Sequence, residues 1–270
     1  MKTITTPTLI CRPVLLCCLL LVLGAGSSQS ATTIFNNGPI ITNPGEGYEG
    51  ANVSIAPAVL NYTAGFIMNK TTGYRLADDF QVPAGETWNL TAVKLYGYQT
   101  GSSTISTFTG LYARIWEGRP GDLGANPVWG NDGANILTGS VFSGTYRVQE
   151  NQSITNNTRP VMELSGVVST SLGAGTYWLE WTTTGSSASG PFNPPVSIVG
   201  QPATGNARQL TPTGWTDVRM GVYPPQYPQD FPFLLEGTVV PEPSQWAMMG
   251  MTLLGAAGVV LRRYRWSATR

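Results

Sequence analysis

The chain has 270 residues, which is enough for one large all-β domain or two small ones. Only 11% of these residues are charged, whereas 32 are glycine and 20 are proline, a composition typical of exported β proteins with many turns. The sequence has no histidine, which excludes a Ser-His-Asp triad and the usual histidine zinc site. Acidic residues outnumber basic ones between Ala31 and Pro241, which argues against a nucleic-acid partner.

Residues 1–30 have the pattern of a secretory signal peptide. Lys2 and Arg12 give a thin positive region, residues 14–23 are apolar, and residues 24–31 are mostly small. An uncleaved N-terminal anchor is the alternative, but an apolar stretch of this length is short for spanning a bilayer. We therefore expect export and cleavage by signal peptidase.

The three cysteines, Cys11, Cys17 and Cys18, all lie within this segment. After cleavage the chain would have no disulfide, no thiol nucleophile and no thiolate metal site. The mature fold would then depend on core packing and sheet hydrogen bonds alone.

Between residues 31 and 238 the pattern predicts one domain made of strands. After a lead-in loop with one short edge strand at 34–50, aromatic and β-branched runs alternate with Gly, Pro and Asn clusters, and no stretch has a helical period. The clearest runs cover residues 88–98, 109–117, 175–183 and 233–240. Long loops are predicted at 117–127 and 184–195. The fold class is therefore all-β, a single antiparallel β-sandwich of jelly-roll type.

Alternation within these runs assigns their side chains to two faces. In 109–117, one face carries Leu111, Ala113 and Ile115, and the other carries Tyr112, Arg114 and Trp116. In 175–183 the same rule separates Trp181 from Trp178.

Tryptophan rings supply a possible carbohydrate-binding platform, since a flat aromatic side chain can stack on a sugar ring. The candidates for glycan stacking are Trp116, Trp178 and Trp181. The alternative is burial in the core, where aromatic residues supply much of the packed area. Because Trp178 and Trp181 point to opposite faces, we expect at least one of them in the core.

Without histidine, carboxylate chemistry is the remaining catalytic option. A glycosidase needs two carboxyl groups across a cleft. Asp78 and Asp79 are adjacent in a strand, so they cannot pair with each other in this way. Other candidates are Glu117, Asp122, Asp132, Glu163 and Glu180, whose pairing the sequence does not specify. We assign no catalytic residue and expect no enzymatic activity.

Calcium is the one metal that the sequence leaves open. Oxygen donors lie near predicted turns, at Asp78, Asp79, Asp122, Asn131 and Asp132. None of these loops has the ligand spacing of a defined calcium motif. Turn capping by Asn and Asp explains the same residues, and no cofactor is expected.

Residues 239–265 differ sharply from the domain before them. Pro241, Glu242 and Pro243 precede the uncharged run 246–261, which we predict to be a transmembrane helix. At about 24 Å this helix would be short for a bilayer, which it could still span with snorkelling arginines and local thinning. Arg262, Arg263 and Arg265 follow, and the positive-inside rule places them, with residues 266–270, in the cytoplasm. A buried C-terminal helix is the alternative, but the run has no polar face.

The order of triplet, apolar run and arginine cluster resembles the PEP-CTERM sorting signal. This resemblance covers only the C-terminal segment. It implies recognition by an exosortase-type enzyme in the inner membrane, cleavage near Pro241-Glu242-Pro243, and release to the outer surface or extracellular matrix of a Gram-negative bacterium that makes exopolysaccharide. A permanent single-pass anchor is the alternative if the tail is never cut.

Taken together, these patterns predict an exported surface or matrix protein. Its expected role is structural or adhesive within exopolysaccharide. A secreted carbohydrate-binding protein or carboxylate-type glycoside hydrolase is the alternative.

Overall fold

The computed structural model describes residues 32–198, 204–221 and 226–241. The predicted signal peptide at 1–30 lies outside the described residues. So do Glu242 and Pro243, the predicted membrane helix 246–261 and the arginine cluster at 262–265.

In the described ranges the chain forms sixteen strands and three single-turn 3₁₀ helices, as the alternation and the lack of helical periodicity predict. The helical turns are Tyr48–Gly50, Ala58–Leu60 and Lys70–Thr72. The strands are β1 (Thr32–Asn36), β2 (Asn52–Ala56), β3 (Phe66–Ile67), β4 (Arg75–Val82), β5 (Glu86–Gly97), β6 (Phe108–Glu117), β7 (Asn126–Gly130), β8 (Leu137–Gln149), β9 (Pro160–Leu172), β10 (Gly175–Gly185), β11 (Phe192–Asn193), β12 (Arg208–Thr211), β13 (Gly214–Asp217), β14 (Arg219–Met220), β15 (Tyr227–Pro228) and β16 (Phe233–Pro241).

The long strands form two six-stranded sheets. Sheet I has the order β1-β16-β5-β9-β8-β2, and sheet II has the order β13-β12-β4-β10-β6-β7. Two small ribbons, β11-β3 and β14-β15, complete the described strands.

One core joins the two sheets, as a sandwich requires. The predicted inner face of β6, Leu111, Ala113 and Ile115, is buried in that core. Trp181 of sheet II packs there against Phe233 of sheet I, with ring centroids 6.0 Å apart. The inward residues of both sheets therefore exclude water together, and the described chain is an all-β sandwich with a shared core.

One pair of strands departs from the predicted antiparallel arrangement. β2 pairs with β8 in parallel, from Asn52 opposite Thr145 to Ala56 opposite Gln149. Only strands joined by a tight hairpin must run antiparallel, and β3 to β7 lie between these two strands in the chain. The prediction of a wholly antiparallel sandwich was wrong at this edge.

Sheet I has two ends, which the pairing of β5 with β16 defines. β5 pairs with β16 from Leu95 opposite Phe233 to Glu86 opposite Pro241. We call the second of these the Pro241 end. At roughly 3.3 Å per residue, the 12 residues of β5 span roughly 35 Å. The loop after Gly97 therefore lies at the opposite end, which we call the distal end.

None of the helices in the described ranges is long and apolar enough to cross a membrane.

Candidate functional site

The predicted sorting motif begins where the sandwich ends. β16 continues past the predicted domain boundary at 238 and includes Pro241, which lies opposite Glu86 of β5. Val239 and Val240 just before it are partly exposed. The first proline of the triplet is thus held by the sheet, while Glu242 and Pro243 lie outside the described residues.

The three tryptophans predicted to stack on glycans have different environments. Trp181 is fully buried, and its indole Nε1 donates to Asn193 Oδ1 at 3.2 Å. Trp178 is only 4% exposed because the Arg119 guanidinium covers its ring, 5.5 Å from the ring centroid. Neither ring is open to a sugar in this structure, and Trp181 confirms the expectation that at least one of the two lies in the core. Trp116 is half-buried on the outer face of sheet II and stays a candidate.

A polar network surrounds Trp116. Its Nε1 donates to Glu180 Oε2 at 2.6 Å, and Arg75 Nη1 donates to Glu180 Oε1 at 2.7 Å. Arg75 Nη1 also lies 2.7 Å from Asp132 Oδ1, and Arg114 pairs with Asp132 while its guanidinium lies 5.7 Å from the Trp116 ring centroid. The charged side chains around Trp116 are therefore paired with one another, and these ion pairs fix their positions.

The candidate glycosidase carboxylates are distributed over both faces of the sandwich. Glu163 lies on sheet I, 3.3 Å from Lys94 Nζ, and Asp122 binds Arg208 near the 117–127 loop. Glu180 and Asp132 share one partner, since Arg75 bridges them. An arginine thus occupies the position that a glycosidase leaves for water or a glycosidic oxygen. The expectation of no enzymatic activity stays a prediction.

The candidate calcium ligands each bind protein donors. The Asp78 carboxylate is fully buried and accepts from Asn37 Nδ2, Phe231 N and Asp79 N at 2.7–2.9 Å. Asp79 accepts from the Thr204 hydroxyl at 2.8 Å. The Asn131 side chain caps the turn formed by the next residues. Among the described residues, no group of three or more His, Cys, Asp or Glu side chains is arranged to hold a metal ion.

Sequence reasoning missed an open cleft at the distal end of sheet I. Its volume is about 480 Å³, and it adjoins a second opening of about 410 Å³ that shares Tyr48, Glu49, Thr104 and Tyr146 with it. The remaining lining is mostly small and polar, from Gly50, Ala51, Asn52, Phe142 and Gly144 on one side and Gly101, Ser102, Ser103, Asn157 and Thr158 on the other. We call the two openings together the distal cleft.

A compact turn presents the aromatic and acidic groups of the distal cleft. The Gly47 amide donates to the Ala51 carbonyl at 2.8 Å, and the Ala51 amide donates to the Tyr48 carbonyl at 3.1 Å. Between them Glu49 has φ 52° and ψ 32°, a left-handed conformation that costs a non-glycine residue free energy. The turn therefore exposes Tyr48 and Glu49 at the surface, although it holds Glu49 in a backbone conformation that a non-glycine residue disfavours.

The two tyrosines of the cleft contact each other at right angles. Their ring centroids are 6.1 Å apart, with an interplanar angle of 87°. Tyr146 on β8 is only 6% exposed and supports Tyr48, which is 37% exposed. The Glu49 carboxylate beside the Tyr48 hydroxyl raises the pKa of Tyr48 above its ordinary value of 10.0. In the sequence, the only local signal is an aromatic–acidic pair between glycines in a loop, Gly47 to Gly50.

Comparisons with known proteins identify no relative of this chain. No family model, curated protein or solved structure matches the chain significantly.

Proposed function

We propose that this chain is an exported protein of the outer surface or extracellular matrix of a Gram-negative bacterium, with a structural or adhesive role within exopolysaccharide and no enzymatic activity. Signal peptidase would remove residues 1–30. An exosortase-type enzyme in the inner membrane would cut near Pro241, Glu242 and Pro243. The cytoplasmic arginines Arg262, Arg263 and Arg265 would orient the membrane intermediate before that cut.

The observation that carries this proposal is the order of three features after β16. A Pro-Glu-Pro triplet, an uncharged apolar run and an arginine cluster follow one another in that order, and only Ser244 and Gln245 separate the triplet from the run. Pro241, the first residue of the triplet, forms the last residue pair of β16 with Glu86 of β5, so a processing enzyme would find the start of its motif next to a folded body.

The positions of the two domain ends support this topology. β1 begins at Thr32, which lies opposite Gly237 of the antiparallel strand β16. The first residue of β1 and the last residue of β16 therefore both lie toward the Pro241 end of sheet I. A precursor held by one membrane through the segments before Thr32 and after Pro241 would direct the distal end away from that membrane.

Intact-mass spectrometry of the protein from its native host tests the proposal, with membrane and released fractions measured separately. We expect a released form that begins near Ala31 and ends near the triplet. Glu242→Ala should reduce the released form at least about tenfold, because the motif lies next to the cut. The control Gln245→Ala changes a neighbouring residue outside the triplet and should leave release unchanged.

A mass that extends to Arg270 in every fraction would contradict processing. The protein would then be a membrane-anchored domain that faces the periplasm. Equal release of both variants would show that the triplet is not the recognised element.

A further inference from the structure

The distal cleft lies where a tethered domain meets its surroundings. Gly101–Thr104 follow β5 at the distal end, and the Gly101 amide donates to the Thr158 carbonyl just before β9. Tyr48 and Tyr146 complete the cleft from the neighbouring edge of sheet I. Pro241 lies at the other end of the same strands. A body attached through Pro241 therefore presents this cleft at its far end.

The chemistry of the lining suits a neutral polyol. Tyr48 offers a partly exposed aromatic ring, fixed by its edge contact with Tyr146. Around it lie Ser102, Ser103 and Thr104. A hydroxyl can donate and accept hydrogen bonds, and the Ser102 hydroxyl, which donates to the Gln99 carbonyl at 2.7 Å, keeps its acceptor capacity. An aromatic surface with a few orienting polar groups is the usual composition of a small-molecule site.

Anionic ligands fit the distal cleft poorly. Neither opening has a lysine or arginine among its lining residues. The Glu49 carboxylate would repel a uronic acid, sulfate or phosphate, whereas it can accept hydrogen bonds from sugar hydroxyls. The lining therefore favours uncharged over acidic polysaccharide.

Backbone strain at Glu49 gives an independent reason to suspect a functional role. Glycine would adopt φ 52° at little cost, and Gly47 and Gly50 flank the position, yet residue 49 is glutamate. Strained residues of this kind cluster at binding sites, where the side chain is needed despite the cost. Glu49 lines both openings, which gives its carboxylate such a use.

We propose that the distal cleft binds a neutral polysaccharide, with the Tyr48 ring stacked on a sugar and the Glu49 carboxylate bonded to its hydroxyls. The proposal rests on the proposed function, because it names the glycan class through which an exopolysaccharide protein would adhere.

Fluorescence polarisation with labelled oligosaccharides tests this site. The full chain is purified in a detergent without a sugar headgroup, and the probes are cellohexaose, laminarihexaose, mannohexaose, chitohexaose and hexagalacturonate. We expect at least one neutral hexamer to bind and hexagalacturonate to bind at least about tenfold more weakly. Tyr48→Ala should raise the Kd of the bound hexamer about tenfold, through loss of the aromatic surface.

Two matched controls, Tyr227→Ala for Tyr48→Ala and Asn61→Gly for Glu49→Gly, separate binding from folding. Tyr227 is also 37% exposed but lies on β15, so Tyr227→Ala should leave the Kd unchanged. Glu49→Gly relieves the left-handed strain, so it should keep or raise the thermal midpoint while it raises the Kd at least about fivefold. Asn61 has φ 56° outside the cleft, so Asn61→Gly should leave the Kd unchanged.

The proposal is overturned if none of the neutral hexamers binds, or if hexagalacturonate binds as tightly as they do. It is also overturned if Tyr48→Ala and Tyr227→Ala have the same effect on the Kd. Failure here together with a released form cut near Pro241 would remove the glycan site and leave the sorting proposal standing. Glycan binding by a chain that is never cut would support the glycan site and contradict the sorting proposal.

Discussion

Arg147 shows how a single residue can hold several segments of this sandwich together. Its guanidinium is fully buried and donates to the carbonyls of Thr63, Ala64 and Ile55 and to the hydroxyls of Ser54 and Ser197. All five acceptors are neutral. Burial lowers the pKa of Arg147 to about 10, so the side chain still carries its charge at neutral pH. A planar fork with five donors is well suited to so many fixed acceptors.

Replacement of this arginine should be strongly destabilising. Arg147→Met leaves the buried carbonyls without their donor, and we expect a loss of about 3–5 kcal/mol in the free energy of unfolding. Urea titration of the full chain measures this loss. The control is Arg159→Met, since Arg159 is only half-buried and donates to Gln152 and Gln149 side chains; its loss should be below about 1 kcal/mol. Similar losses in the two variants would contradict a special role for Arg147.

Asp78 is the second buried ionisable group with a clear consequence. Burial, followed by the nearby charge of Asp230, raises the pKa of Asp78 well above its ordinary value of 3.8. The hydrogen bond from the Phe231 amide opposes this rise in part. A proton is therefore held more tightly on Asp78 in the folded chain than in the unfolded chain.

Stability should accordingly depend on pH with a defined sign. Below pH 3.8 both states hold the proton, and the contribution of Asp78 is fully present. As the pH rises from there to the folded pKa, the unfolded chain releases its proton first, so this contribution is lost. Urea titrations of the wild type and Asp78→Asn over this range should show the wild type losing stability relative to the variant. A relative gain of the wild type with rising pH would refute the assignment.

At the scale of single strands, β16 depends on a glycine at its irregularity. The register of β16 on β5 shifts between Glu236 and Gly237. A Cβ atom at Gly237 would lie 2.2 Å from the Asn89 carbonyl oxygen, which is backbone and cannot rotate away. The strand that leads to Pro241 therefore pairs closely with β5 only if this position has no side chain.

Gly237→Ala should loosen this strand and lower the stability by about 1–3 kcal/mol, because the added methyl group forces the two backbones apart. Thermal unfolding followed by circular dichroism measures the effect. Gly139→Ala is the matched control in β8, where an added Cβ would have no atom within 4 Å. An equal shift of the thermal midpoint in both variants would mean that the different strand propensities of Gly and Ala, rather than the close contact, cause the loss of stability.

Strand alternation predicted β5, β6, β10 and β16, and in β6 and β10 the residues that join the shared core follow the two-residue period. The two longest strands, β8 and β9, were not among the predicted runs. β6 and β10 bury the residues that the pattern assigns to the inner face, including Ile115 and Trp181. β7 was missed: it begins in the last two residues of the loop predicted at 117–127, and Pro127 and Gly130 are residues typical of turns. Trp178 was placed on the correct face but is buried there by Arg119, and a contact between a strand and a distant loop has no local signal.

At the scale of the whole molecule, the distal cleft could not be predicted for the same reason. Tyr48 comes from a turn before β2, Tyr146 from β8 and Thr104 from the loop after β5. They meet because β2 joins β8 in parallel at the edge of sheet I, a pairing that no hairpin specifies. The proposed sorting motif, in contrast, is contiguous in the chain, so its prediction needs no knowledge of the fold.

The alignment of β16 with its neighbours has a mechanical consequence. A pull between Pro241 and the distal cleft would run along β16, β5, β9 and β8, which lie side by side. Hydrogen bonds between antiparallel strands are perpendicular to that direction, so the nine residue pairs from Phe233 to Pro241 would bear the load in shear and together. A pull between Thr32 and Pro241 would instead peel β1 from β16 one bond at a time. A body attached through β16, as we propose, would thus be strong in the direction in which the proposed adhesive role would load it.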